Sequence, residues 1–317
     1  IGAMTIWFMA REPWHIIVAV FFQGLSTAIY GVWEALLVED TAPQYRVSIY
    51  SSLQTIYIVG GILTPIAGAL ISFYGVEQGC RYLFLFSLIA IAILFIGRQA
   101  YLHESKMIKP LSPLNPEESS RYGGYEETLK TVTNHRKLLI LFTLTIIGSI
   151  LHPLIGTYKP LYLTDPKALA LNESTASIVP MASSIPSLIT LSVIVPRLKY
   201  THIKKTLLFS YICGVLGFIT LIIAPTGSLV FAALSAVLDS ARFIATFSIL
   251  RVFLINTIDE INPLVKAKIL SLLITLSALA SWPIPLVGGY LYTASPALPF
   301  VLAAILLILS ASLMLKI

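Results

Sequence analysis

Residues 39–68 read EDTAPQYRVSIYSSLQTIYIVGGILTPIAG, and residues 259–288 read DEINPLVKAKILSLLITLSALASWPIPLVG. Laid over each other with a shift of 220 residues and no gap, Glu39-Asp40 falls on Asp259-Glu260, Pro43 on Pro263, Arg46 on Lys266, Pro65 on Pro285 and Gly68 on Gly288. Ile49, Ser51, Leu53 and Thr55 meet Ile269, Ser271, Leu273 and Thr275. Chance likeness between apolar helices accounts for the aliphatic matches. It does not account for an acidic pair, a base and a Pro-x-x-Gly in one register, so the spacing predicts an internal repeat. Beyond Arg46 in the first copy and Lys268 in the second, the chain also runs uncharged for longer than the roughly 20 residues that a helix needs to cross a bilayer. Lipid admits only helices and closed barrels, because every backbone polar group must be paired within the protein. Period-2 alternation is absent, which excludes the barrel. The fold class is therefore all-α: a polytopic transmembrane helix bundle.

Composition agrees. Of the 317 residues, 57% are hydrophobic and 11% are charged, whereas a soluble domain carries roughly 25% charged residues. The apolar runs predict nine complete spans, near 14–38, 47–73, 82–102, 138–163, 175–196, 206–224, 228–256, 267–292 and 297–317, after a remnant at 1–10. Lysine and arginine alternate in density between the connections. Arg46, Arg98 to Lys137, Arg197 to Lys205, Arg251, Lys266, Lys268 and Lys316 fall on one side, sixteen in all. Only Arg11, Arg81, Lys159 and Lys167 fall on the other. Positive loops stay inside, so the larger set and the C-terminus are expected in the cytoplasm of a cell-membrane protein. The polar stretch 103–136, with Pro110, Pro113, Pro116, Gly123 and Gly124, reads as a cytoplasmic linker. It separates an N-terminal bundle over 1–102 from a six-helix bundle over 137–317. Both repeat copies begin on the cytoplasmic side, as parallel repeats do. The same shift puts the counterpart of the span starting at 138 about 80 residues before Ile1. The expectation is two pseudo-repeat halves of six spans, the first of them N-terminally truncated.

Three stretches carry a family resemblance. Phe22-Gln23-Gly24-Leu25-Ser26-Thr27-Ala28 resembles a fourth-span motif, with Val20 where that motif has arginine and Ser26 for its second glycine. Gly60 to Ala69 resembles the fifth-span pattern Gly-x-x-x-Gly-Pro-x-x-Gly-Gly, with Thr64 and Ala69 for two glycines. Arg197 to Lys205 is similar to the basic loop between spans eight and nine. With the repeat and the central linker, they make the chain resemble the major facilitator superfamily, from the end of its third span to its twelfth. The resemblance implies a secondary transporter that works by alternating access, with its solute bound near the midplane.

Ionisable residues inside a span are costly and mark functional sites. Glu34, Asp239 and Arg242 qualify. Helical spacing places Gln23, Thr27, Tyr30 and Glu34 on one stripe, Ser235, Asp239, Arg242 and Thr246 on a second, and Thr145, Ser149, His152 and Gly156 on a third. The resemblance makes these the fourth, tenth and seventh spans, which line the family's central cavity. Gln23, Tyr30, Glu34, His152, Asp239 and Arg242 are thus the solute and coupling candidates. Asp239 and Arg242 can pair at i, i+3, either as a self-neutralising structural pair or as a switch. Pro65, Gly68, Pro285, Gly288 and Gly289 are expected to bend spans and let helices approach closely. The acidic pairs read as helix-start signals, with Pro43 in a first turn, or as gating charges. Asn172-Glu173-Ser174 fits a glycosylation sequon, a short match to which no function is attached.

No phosphate-binding loop, HExxH pair, nucleophile elbow or Cys/His cluster occurs, so neither an enzyme nor a metal or cofactor site is expected. Nor does a basic patch interleave with aromatics as in a nucleic-acid binder. The partners expected are a small-molecule solute, the lipid bilayer and protons. The solute is amphipathic or weakly charged, and its expected transport is proton-coupled export. An uncoupled facilitator of a neutral solute such as a sugar, and a truncated membrane protein that transports nothing, stay open as alternatives.

Overall fold

The computed structural model describes residues 2–24, 43–101, 125–198, 202–261 and 266–317. Its regular elements are helices: α1 (Gly2–Met9), α2 (Pro13–Gly24), α3 (Pro43–Ile62), α4 (Thr64–Tyr101), α5 (Tyr125–Asn134), α6 (Arg136–Thr164), α7 (Glu173–Ala176), α8 (Ile178–Ile189), α9 (Ile203–Ile222), α10 (Leu229–Ile244), α11 (Leu250–Ile261), α12 (Lys266–Ser281), α13 (Ile284–Ala294) and α14 (Leu298–Leu315). Among the described residues seven helical stretches are long and apolar enough to cross a membrane. They include every span expected from 138 onward. The expected spans 47–73 and 82–102 share one of them, Ser52–Gly97.

That stretch is not one straight rod. Gly75 has φ 77° and ψ 165°, outside the helical region. A Cβ on Gly79 would lie 2.8 Å from the Cα of Ile71. Eight residues of continuous helix would separate those positions by about 12 Å. The chain therefore doubles back at Gly75, where glycine tolerates the left-handed φ. Tyr74 and Tyr82 meet edge to face across the turn at 5.1 Å.

Two compact units emerge. One holds residues 1–39 and 69–124, the other residues 40–68 and 125–317. In the first, Trp7 of α1 stacks on Phe84 of α4 at 5.6 Å. The second is built round α6, which packs on α5 and on α11 to α14. Leu138, Leu141, Leu144, Leu151 and Leu154 form its buried face at helical spacing. Farther along α6, Tyr162 meets Phe300 edge on at 5.0 Å, and Phe218 joins them. Helix α10 packs between α8 and α9, α14 closes against α9, and α3 lies on α8. Large apolar side chains such as Phe209, Val230, Ile305 and Ile308 stay exposed, as suits a surface that faces lipid.

The two Pro-x-x-Gly segments break their helices at matching positions. Helix α3 ends at Ile62 and α4 restarts at Thr64, while α12 ends at Ser281 and α13 restarts at Ile284. The restarts are 220 residues apart. Pro65 and Pro285 each sit one residue into the new helix, where the missing N–H removes no helical bond. Pro43 opens α3 in the same way. In the second copy Asp259 pairs with Lys266 at 2.6 Å, and Glu260 pairs with Lys137 at 3.2 Å. The acidic pair thus ties the end of α11 to the starts of α12 and α6.

Candidate functional site

Asp239 and Arg242 lie one turn apart on α10 and do pair. The Arg242 Nε–H donates to the Asp239 Oδ1 at 2.5 Å. The pair is not self-contained, however. Lys159 reaches across from α6 to the other carboxylate oxygen, with 3.7 Å between Nζ and Oδ2. Asp239 therefore sits in a triad of two cations on one anion. The sidedness count changes too. Lys159 does not sit in an outer connection but within the membrane-spanning α6, its side chain 15% exposed.

The three groups have different surroundings. Arg242 is buried in a slot between α9 and α10. Its guanidinium lies 6.0 Å from the centre of the Phe218 ring, and its stem covers Gly214, where a Cβ would come within 3.0 Å of Cδ. Arginine suits such a slot, since it stays charged and stacks on aromatic faces. Lys159 and Asp239 instead line a cavity of about 600 Å³, a volume suited to a small organic molecule.

Helices α3, α6, α8 and α10 supply most of the cavity wall, and Thr64 begins α4 at its edge. On one side Tyr57 stacks with Phe243 at 6.0 Å, beside Ile56 and Ala236. On another stand Ser183, Ser184 and Ser187. The hydroxyls of Ser183 and Ser184 donate to Pro180 O and that of Ser187 to Ser183 O, each at 2.8 Å. With its proton given to the helix, each of these hydroxyls has only lone pairs left to offer a further partner. The fifth-span pattern seats α8: a Cβ on Gly61 would overlap Ser184, and one on Gly68 would overlap Ser177. Thr64 donates to Gly61 O at 2.6 Å and to Ser177 O at 3.1 Å. Small residues here do what they do in membranes generally, bringing backbones close.

The second Pro-x-x-Gly receives a ring. Tyr158 fills the notch over Gly288, where a Cβ would overlap it, and donates to Pro285 O at 2.5 Å. Its hydroxyl would stand 3.3 Å from a Cβ on Gly289. Tyr158 stacks on Tyr292 at 5.5 Å, and Tyr292 donates to Asp165 Oδ2 at 2.8 Å. Asp165 lies just beyond the span. Its carboxyl is held below the ordinary 3.8, first by the Lys167 N–H and then by the Tyr292 hydroxyl.

The other candidates fare differently. His152 is exposed on α6 and meets Phe247 edge on at 5.3 Å; it does not line the cavity. Gln23 is exposed on α2, in the first unit. Tyr30 and Glu34 lie outside the described residues. Asn172 of the sequon caps α7, accepting from the Thr175 N–H at 2.7 Å. Sequence reasoning missed Lys159, Tyr57, Phe243 and the serines of α8. A signal for Lys159 existed: it stands three residues beyond Gly156, on the stripe of Ser149 and His152.

A family model described as Major Facilitator Superfamily matches residues 1–281. No curated protein matches the chain. A polytopic helix bundle with a charged, solute-sized cavity is thus joined by a match over most of the sequence, and the chain belongs to the major facilitator superfamily, as a secondary membrane transporter.

Proposed function

We propose that this chain carries a small organic solute across the cell membrane by alternating access coupled to protons, with its C-terminus in the cytoplasm. The observation that carries this reading is the Asp239 carboxylate in the cavity wall. It is 12% exposed, faces a solute-sized space and is shared between a near cation, Arg242, and a farther one, Lys159. A buried carboxylate held by cations can exchange its charge with a solute or a proton as its access to water changes. The cavity is lined by α3 from the first repeat half and by α6, α8 and α10 from the second, so relative movement of those helices would change access to it. The lysine and arginine distribution supports a cytoplasmic C-terminus. The partial fifth-span pattern supports export by family analogy alone.

The experiment is solute flux in proteoliposomes with and without an imposed pH gradient. Gradient-driven flux is expected in the wild type and is expected to be lost in Asp239→Asn, with insertion unchanged. Normal gradient-driven flux in that variant would remove Asp239 from the site. Uncoupled facilitation is favoured by one observation, the tight and deeply buried Arg242–Asp239 bond, which has the form of a structural pair. It predicts flux that ignores the gradient in the wild type as well.

A further inference from the structure

We propose that Lys159 is the solute-binding cation of the cavity and that the solute is an amphipathic organic monoanion, a carboxylate on an apolar body. This rests on the transporter reading above. Two cations share Asp239, but unequally. Arg242 holds its oxygen at 2.5 Å and is not among the residues lining the cavity. Lys159 lines the cavity and stands 3.7 Å from its oxygen, beyond hydrogen-bonding distance. One carboxylate neutralises one cation, and Arg242 takes that part. Among the described residues around the cavity, the surplus positive charge therefore belongs to the Lys159 ammonium.

An uncompensated charge in a low-dielectric site is costly, and an anionic solute would supply the missing partner. The exchange is feasible because Arg242 keeps Asp239 paired when Lys159 turns away, and because lysine is a point charge on a flexible stem. A cationic solute would meet Lys159 as a like charge. The rest of the wall sets the remainder of the class. Tyr57, Phe243 and Ile56 suit an apolar or aromatic body. The serine oxygens of α8 present lone pairs, which repel a carboxylate and accept from a hydroxyl or N–H on the solute. A second anionic group would find no further cation among the described lining residues.

The test reads cavity charge directly, in purified protein, so its result is independent of whether flux is observed. With Cys80 and Cys213 replaced by alanine, Ser183→Cys puts a thiol in the cavity wall. It is labelled with the anionic sulfonatoethyl and the cationic trimethylammonioethyl methanethiosulfonates, each rate normalised to free cysteine. The anionic reagent is expected to be favoured roughly tenfold, as for a unit charge several ångströms away in a partly buried site. Lys159→Gln is expected to abolish the preference, Lys159→Arg to keep it, and Asp239→Asn, which adds to the surplus, to increase it. Carboxylates with a terminal phenyl group, from phenylacetate to 8-phenyloctanoate, are expected to protect the thiol, and their amides are not. A cationic preference, a preference indifferent to Lys159 and Asp239, equal protection by the amides or protection by no carboxylate in the series would each overturn the assignment.

Discussion

Single residues in this chain act through what stands opposite them. Asp165 shows this on the polar side of a membrane helix, where it accepts from the Lys167 N–H and from Tyr292. Its carboxyl is depressed below 3.8, so its contribution to stability is present above that value and is lost as pH falls through the still lower folded value. Tyr292→Phe is accordingly expected to lower the Tm at neutral pH, and the difference from wild type is expected to shrink in acid below 3.8. Thermal unfolding of the two proteins across pH checks this, and a difference that grows in acid would contradict the assignment. Lys159 gives the same lesson in the membrane. Taken alone it is a base near a helix end; opposite Asp239 it becomes the second cation of a triad.

At the scale of elements, the two Pro-x-x-Gly segments are the same device used for different contacts. Gly68 and Gly61 seat serines, whereas Gly288 seats a tyrosine ring. Over Gly61 only the Ser184 hydroxyl would clash, its Cβ lying 3.6 Å from the added methyl group, and the hydroxyl can rotate away at the loss of one hydrogen bond, about 0.6 kcal/mol on average within a membrane. The Tyr158 ring has no such freedom, being stacked on Tyr292 and bonded to Pro285. Gly288→Ala should therefore destabilise by about 1–3 kcal/mol, the usual range for overpacking, and Gly61→Ala by less. Unfolding of both variants in one detergent measures the order, and equal losses would mean that the notch over Gly288 is looser than its contacts indicate. Two of the helices lining the cavity share another feature. Both α8 and α10 run on into five-residue π-helical turns, Thr190–Ile194 and Ala245–Ile249, a widening often found near functional sites.

For the whole molecule the testable quantity is sidedness. Counting Lys159 with α6 rather than with an outer connection lowers the outer count and sharpens the charge bias on which the proposed cytoplasmic C-terminus rests. In a background without Cys80 and Cys213, Lys167→Cys and Lys205→Cys should be labelled from opposite faces of sealed vesicles by an impermeant maleimide, with Lys316→Cys matching Lys205→Cys. Labelling of Lys167→Cys and Lys205→Cys from one face would refute the orientation.

Local sequence determined the helical class, the spans from 138 onward and the pairing of Asp239 with Arg242. Each depends on residues within a few turns of one another, so period, proline and charge suffice to specify it. Only the tertiary structure decided that Lys159 joins Asp239 from a helix 80 residues away, that the α8 serines and Tyr57 share its cavity, and that Tyr158 fills the notch of the second Pro-x-x-Gly. Those contacts follow from how helices dock, and docking in lipid turns on small residues and close fit, which leave no periodic trace along the chain.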